Sequence, residues 1–404
     1  MLISLKFKNF FSYKDETQLL MTSVKAFKEL QNSNVVKLRE FDILKTAAIY
    51  GSNGGGKSNF IKAMGFMSRV IHNSFADSLK KEEDRLRYDR QFRLDANSED
   101  SPTEIEVVFV RNGIIYRYGF HMLRDIIIRE WLYQKREVET MLFERRNSQF
   151  DINANSFAEG NKYKKSVNAN VLFLSYLAQN NAKVSSEVFD FFDNVNVVSA
   201  LSNEHYEKVT KELLNSNPKF KIWLSYAVKF LKISNVEINT NDKILTYHNK
   251  FDSNNFVIDT VSFDLDSEES EGTKKLIYLL GAIYDTLQWG RILFIDEFDS
   301  KLHPNLSEKL IRFFHKYNQN RAQVILTLHD SNLLDKEIFR RDQIWFVDKN
   351  KVGSSEFYSL SEFDSSVVRS TSDFRKKYLE LTFGAADSIE ITKPLIDLMY
   401  DKTE

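Results

Sequence analysis

Thr46-Ala47-Ala48-Ile49-Tyr50-Gly51-Ser52-Asn53-Gly54-Gly55-Gly56-Lys57-Ser58 decides the fold of this 404-residue chain. A small apolar run stops at Gly51, and beyond Ser58 the apolar residues Ile61, Met64, Met67 and Val70 recur at helical spacing. The order is strand, glycine loop, helix. Gly51 to Ser58 satisfies G-x-x-x-x-G-K-[ST] in the context that gives the string its meaning. Glycines let backbone N–H groups converge on phosphate oxygens, and the helix amino terminus adds partial positive charge. Lys57 has the reach for β and γ phosphates, and the Ser58 hydroxyl suits Mg²⁺. Ser52, Asn53, Gly54, Gly55, Gly56, Lys57 and Ser58 are therefore the candidate binding residues, with ATP and Mg²⁺ as the expected cofactors.

Two further apolar runs end in polar residues. Ile292-Leu293-Phe294-Ile295 leads into Asp296-Glu297, and Ile325-Leu326-Thr327-Leu328 into His329-Asp330. Buried strands that deliver Asp296, Glu297 and His329 to the carboxyl edge beside Lys57 would build a ligand crevice. Asp296 is the candidate Mg²⁺ ligand with Ser58, Glu297 the base for the attacking water, and His329 a contact to the γ-phosphate. Ser270-Glu271-Gly272-Thr273 reads as a helix start, with Ser270 as its cap.

Outside these motifs, composition narrows the class. The chain is 42% hydrophobic with no cysteine, and its 56 Lys and Arg balance 57 Asp and Glu. It can bury a large core, and it lacks thiol chemistry of any kind. A formal charge of −1 argues against nucleic-acid binding by a strongly basic body. Arg85, Arg87, Arg90 and Arg93 with Tyr88 and Phe92 form a basic, aromatic stretch, but Glu82, Glu83, Asp84 and Asp89 interrupt it, and a solvated surface is the preferred reading. The early charges at Lys6 and Lys8 and the lack of a long apolar run suggest a cytoplasmic protein without a membrane partner.

Ile105 to Phe120 alternates around Asn112-Gly113, a hairpin signal. Strands alternating with helices after Ser270 indicate a parallel α/β sheet. The division expected is a first part of the core at 1–146, a mostly helical insertion at 147–269, and a second part at 270–404.

The order glycine loop, Ser270-x-Gly272, Asp296-Glu297, His329 resembles the ABC-type ATPases. That resemblance implies an α/β P-loop nucleotide-binding domain with a mixed sheet and flanking helices. It also implies a homo-oligomer in which Ser270 and Gly272 of one subunit close over ATP held by another, with Asp299 to His303 crossing the interface. A closer resemblance is to the AAA-type bacterial defence ATPases of the overcoming-lysogenization-defect, AbiL and PARIS kind, and it covers most of the chain. It is carried by Leu5-x-Phe7-x-Asn9-Phe10 with Ser12, by Glu104-x-Glu106-Val107-x-Phe109, and by Tyr116-x-Tyr118-Gly119-Phe120. Asp296-Glu297-Phe298 through Leu302-His303-Pro304 and Tyr378-Leu379 with Phe383-Gly384-Ala385 complete the set. Leu381 departs from the usual glycine of that last motif, and Asp387 stands where proline is common. Gln91 is the candidate for the family's γ-phosphate-sensing glutamine.

The residues after His329 show no Asp-x-Asp spacing among Asp342, Asp348, Asp364 and Asp373, so no Toprim nuclease is expected in this chain. The resemblance then implies an anti-phage, toxin–antitoxin-like role: restraining a separate effector, toxin or nuclease, until a phage-encoded trigger is sensed. The alternative is a DNA-maintenance ATPase of the RecF and Rad50 group. Long heptad helices, which a Rad50-like protein needs, are absent between Asn147 and Glu269. A transporter ATPase is the least favoured class.

Overall fold

The computed structural model describes residues 1–84, 88, 90–199 and 204–386. At its centre lies a six-stranded sheet in the spatial order Val195–Ser199, Ile292–Asp296, Gln323–Thr327, Thr46–Gly51, Ile344–Lys349, Ser355–Ser359. The first five strands are parallel, and Ser355–Ser359 closes the edge antiparallel. Thr46–Gly51, Ile292–Asp296 and Gln323–Thr327 are buried at every position. Continuous apolar runs are what a parallel sheet covered on both faces requires.

Alternate residues of the central strands feed two cores. Ala47, Ile49, Phe294 and Ile325 pack with Phe60, Met64 and Met67 of the helix Lys57–Ser78 and with a second sheet. Ala48, Tyr50, Leu293 and Ile295 face the other way, onto Leu276, Leu279 and Leu280 of the helix Glu271–Trp289 and Leu310 and Phe314 of the helix Pro304–Tyr317. The second sheet is antiparallel and seven-stranded, running from Gln149–Ile152 through Glu139–Arg146, Ile126–Lys135, Ile114–Leu123, Thr103–Arg111 and Leu2–Lys8 to Thr17–Leu20. Its hairpin turns at Asn112 and Gly113, both with positive φ (50° and 77°), as the Asn-Gly pair predicts.

The stretch 147–269, expected as a mostly helical insertion, carries the helices Ala158–Tyr163, Phe173–Gln179, Lys183–Asp193, Glu204–Ser216 and Pro218–Val228, and it also lends strands to both sheets. Gln149–Ile152 extends the seven-stranded sheet, and Val195–Ser199 forms the edge of the central sheet by pairing with Ile292–Asp296. Three more strands, Ile233–Ile238, Ile244–Phe251 and Val257–Asp264, make a separate antiparallel sheet. The reason is non-local pairing: Val195-Asn196-Val197-Val198 is short and becomes a strand because Ile292–Ile295 offers a parallel partner.

Candidate functional site

The glycine loop sits between the central strand Thr46–Gly51 and the helix Lys57–Ser78, which no side chain caps. Its shape depends on glycine. Gly56 has φ +129°, and a Cβ there would stand 2.3 Å from Ser355 Oγ. Gly54 has φ +72° and meets nothing within 4 Å, so its backbone faces open space. The loop is braced from outside: Tyr13 donates its hydroxyl to Gly56 O (3.2 Å), Ser355 Oγ donates to Gly55 O, and Asn59 donates to Ser12 Oγ (3.0 Å). Ser52 Oγ donates to Asp348 Oδ1 (3.3 Å), and the other oxygen of Asp348 accepts the N–H of Ala385 (3.1 Å). Lys57 Nζ donates to Gly51 O (2.7 Å) and Ser52 O (3.1 Å), within the loop it belongs to.

A cavity of about 220 Å³ opens over the loop, lined by Ser52, Asn53, Gly54, Gly56, Lys57, Ser58, Asn59, Glu297 and His329. One strand end supplies Glu297 and another His329, as the parallel sheet dictates. Asp296 is buried at the strand tip, where its Oδ1 accepts the Thr327 hydroxyl (2.7 Å). The same Thr327 oxygen accepts the N–H of Glu297 (2.6 Å). His329 is set by its backbone, whose N–H donates to Asp299 Oδ2 (2.8 Å).

Ser270 caps the helix Glu271–Trp289, accepting the N–H of Thr273 (3.1 Å). Within one chain Ser270 and Gly272 lie apart from the glycine-loop cavity. They line another of about 350 Å³ with Lys301, Leu302 and His303. Lys275, on the same helix and 5% exposed, donates to Glu297 O (2.8 Å), Ser300 O (2.5 Å) and Ser300 Oγ (2.8 Å). Burial, the largest cause, lowers its pKa to about 8 against the opposing charges of Asp299 and Glu297.

Gln91 stands away from the lining of the glycine-loop cavity. Its side chain is buried and turned back on its own backbone, accepting the N–H of Arg90 (3.0 Å). Of the basic stretch, Arg90 and Tyr88 line a groove of about 580 Å³ with Lys62, Arg69 and His72, while Arg85 and Arg87 lie outside the described residues.

Sequence reasoning missed Thr327, Lys275, Ser355 and Asp348. Thr327 carried a signal, being the one polar residue inside Ile325 to Leu328. Lys275 carried a weaker one, a lysine falling on the helix face that buries Leu276 and Leu279. Ser355 carried none, whereas Ser12 belonged to the amino-terminal motif already quoted.

Residues 47–335 match the family model described as "AAA domain, putative AbiEii toxin, Type IV TA system". The chain belongs to that family. Its fold is accordingly the α/β, ABC-type P-loop fold that the central sheet and glycine loop display. No curated protein matches the chain. Among solved structures it is similar to an SMC head domain from Thermotoga maritima, at 15% identity and TM-score 0.42, over 89% of this chain and 98% of that one. It is also similar to an SmcHead bound to the C-winged helix domain of ScpA, at 14% identity and TM-score 0.37, over 91% and 99%. Among the described residues no helix is long and apolar enough to cross a membrane.

Proposed function

We propose that the protein binds and hydrolyses ATP with Mg²⁺, and that its copies assemble around the nucleotide to restrain a separate effector, toxin or nuclease, until infection is sensed. One observation carries the enzymatic part: Lys57, Ser58, Glu297 and His329 line a single cavity although three different strands deliver them. The residues fit the cofactors, because the loop at Gly54 and Gly56 has a shape that side chains would fill or strain.

In this reading Lys57 and the loop amides hold phosphates, with Lys57 exchanging its contacts to Gly51 and Ser52 for phosphate oxygens. Ser58 and Asp296 hold Mg²⁺, which when bound neutralises charge on the phosphates. Glu297 takes the proton of the attacking water, and His329 donates to the γ-phosphate region. Ser270 and Gly272 of a second copy close the site from the opposite side. The effector part is supported by the family's description, which names a toxin and a type IV TA system, and by the resemblance of the sequence motifs to those of defence ATPases.

The test uses purified protein. Glu297→Gln should keep ATP binding and slow hydrolysis by about 10² to 10⁴, whereas Lys57→Ala should lose binding itself. Hydrolysis by Glu297→Gln at the wild-type rate would overturn the assignment. In cells carrying the complete system, Lys57→Ala should abolish protection against phage, and full protection by that variant would remove ATP from the defence role.

A further inference from the structure

Glu297 stands at φ +52°, a left-handed conformation that costs a non-glycine residue energy and needs support from outside. The support is visible on both sides of the residue. Its N–H donates to Thr327 Oγ1 (2.6 Å), and its C=O accepts Lys275 Nζ (2.8 Å). We propose that Lys275 and Thr327 are positioning residues for Glu297, and that Lys275 thereby joins the helix start bearing Ser270 and Gly272 to the carboxylate turn of the same chain. The proposal rests on the ATPase reading above.

The hydrogen-bond inventory makes the hold specific. Thr327 has one hydroxyl proton, committed to Asp296 Oδ1 (2.7 Å), so its oxygen is left to accept from Glu297. One buried hydroxyl thus fixes the two acidic residues relative to each other. The ammonium of Lys275 has three protons and three acceptors, Glu297 O, Ser300 O and Ser300 Oγ. It is 5% exposed, so leaving this set would bury an unpaired donor. The same helix start presses on the loop that follows Glu297. A Cβ at Gly272 would stand 3.0 Å from Lys301 O, and Lys301 Nζ lies 3.0 Å from Glu271. A displacement of the helix start, such as a second copy's nucleotide would cause on engaging Ser270, therefore reaches the turn directly through Lys275, the helix residue bonded to Glu297 itself, with Lys301 as a second contact further along the loop.

Three variants test this in the full chain: Lys275→Met, which keeps the aliphatic stem; Thr327→Val, which keeps the shape without the hydroxyl; and Thr327→Ser, which keeps the hydroxyl. Amide hydrogen exchange reads the hold without reference to activity. Lys275→Met and Thr327→Val should each speed exchange across residues 297–302 by about tenfold or more, with Thr327→Ser near wild type. Steady-state hydrolysis should show kcat down about tenfold with KM for Mg-ATP within about twofold. Unchanged exchange in Lys275→Met and Thr327→Val would overturn the proposal. Faster exchange with no ATP hydrolysis by the wild type would instead overturn the ATPase reading and the purpose assigned to the hold. Should Lys275→Met fail to fold, the contrast between Thr327→Val and Thr327→Ser decides the matter alone.

Discussion

Leu381 stands at φ +60°, in the motif position where the resembling defence ATPases usually have glycine. Leucine thus occupies a left-handed turn, the conformation that glycine adopts at no steric cost. A leucine pays about 1–2 kcal/mol for that conformation, while glycine loses about 0.5–1 kcal/mol more chain entropy on folding. Leu381→Gly should therefore raise the unfolding free energy by about 0.5–1 kcal/mol, since the leucine side chain is 50% exposed and contributes little packing. Urea denaturation of the two proteins checks it, and a clear loss of stability would mean that the leucine side chain has a hidden contact. Gly56 gives the opposite case. At φ +129°, with a Cβ that would meet Ser355 Oγ at 2.3 Å, Gly56→Ala should displace the loop and weaken ATP binding by about tenfold or more, measured by calorimetry. Local strings made the glycine loop and Asp296-Glu297 legible. Lys275 and Thr327 were not, because each acts on a backbone atom of Glu297 from a different segment of the chain.

Elements are joined by buried polar groups that no local pattern announces. Glu130 on the strand Ile126–Lys135 accepts the N–H groups of Phe173 (2.7 Å) and Leu174 (3.0 Å) at the start of the helix Phe173–Gln179, and the hydroxyl of Tyr118 (3.0 Å). Arg145 lies 3.7 Å away, and both side chains are almost fully buried. Removing the cation by Arg145→Met would strand the carboxylate, and should cost about 3–5 kcal/mol in urea unfolding. A loss under about 1 kcal/mol would show that the helix amides and Tyr118 suffice. His315 ties the helix Pro304–Tyr317 to the central strand, its Nε2 paired with Thr46 Oγ1 (2.8 Å). Burial first, then Lys45 and Arg312, lowers its pKa from 6.5 to about 3. Between these values the unfolded chain binds the proton and the folded one does not, so stability falls as pH drops from 6.5 toward 3. His315→Gln should flatten the decline in unfolding free energy between about pH 6.5 and pH 4, and an unchanged slope would mean that His315 titrates normally when folded.

At the scale of the whole molecule, the fold class was legible in the sequence, whereas the pairing of distant strands was not. Alternating strands and helices after Ser270 were enough for a parallel α/β sheet, since burial on both faces writes itself into runs such as Ile292–Asp296. Where Val195–Ser199 belongs depends on a partner strand nearly a hundred positions later, which no local period encodes. The same separation appears in the candidate site. Lys57, Glu297 and His329 meet within one chain, whereas Ser270 and Gly272 line a different cavity beside Lys301 and His303. In the proposed mechanism the second half comes from another copy, so nucleotide and assembly should be linked: ATP can favour the closed assembly only by its differential affinity for it. The Glu297→Gln protein isolates that link, because it should bind Mg-ATP and hydrolyse it about 10² to 10⁴ more slowly. Its solution mass should rise from the nucleotide-free value when Mg-ATP is added, and Ser270→Arg, which blocks the opposing surface, should abolish the rise while leaving ATP binding near wild type. An unchanged mass in Glu297→Gln would sink assembly around ATP by this chain alone, and the completing half of the site would then have to come from a different protein or from nucleic acid.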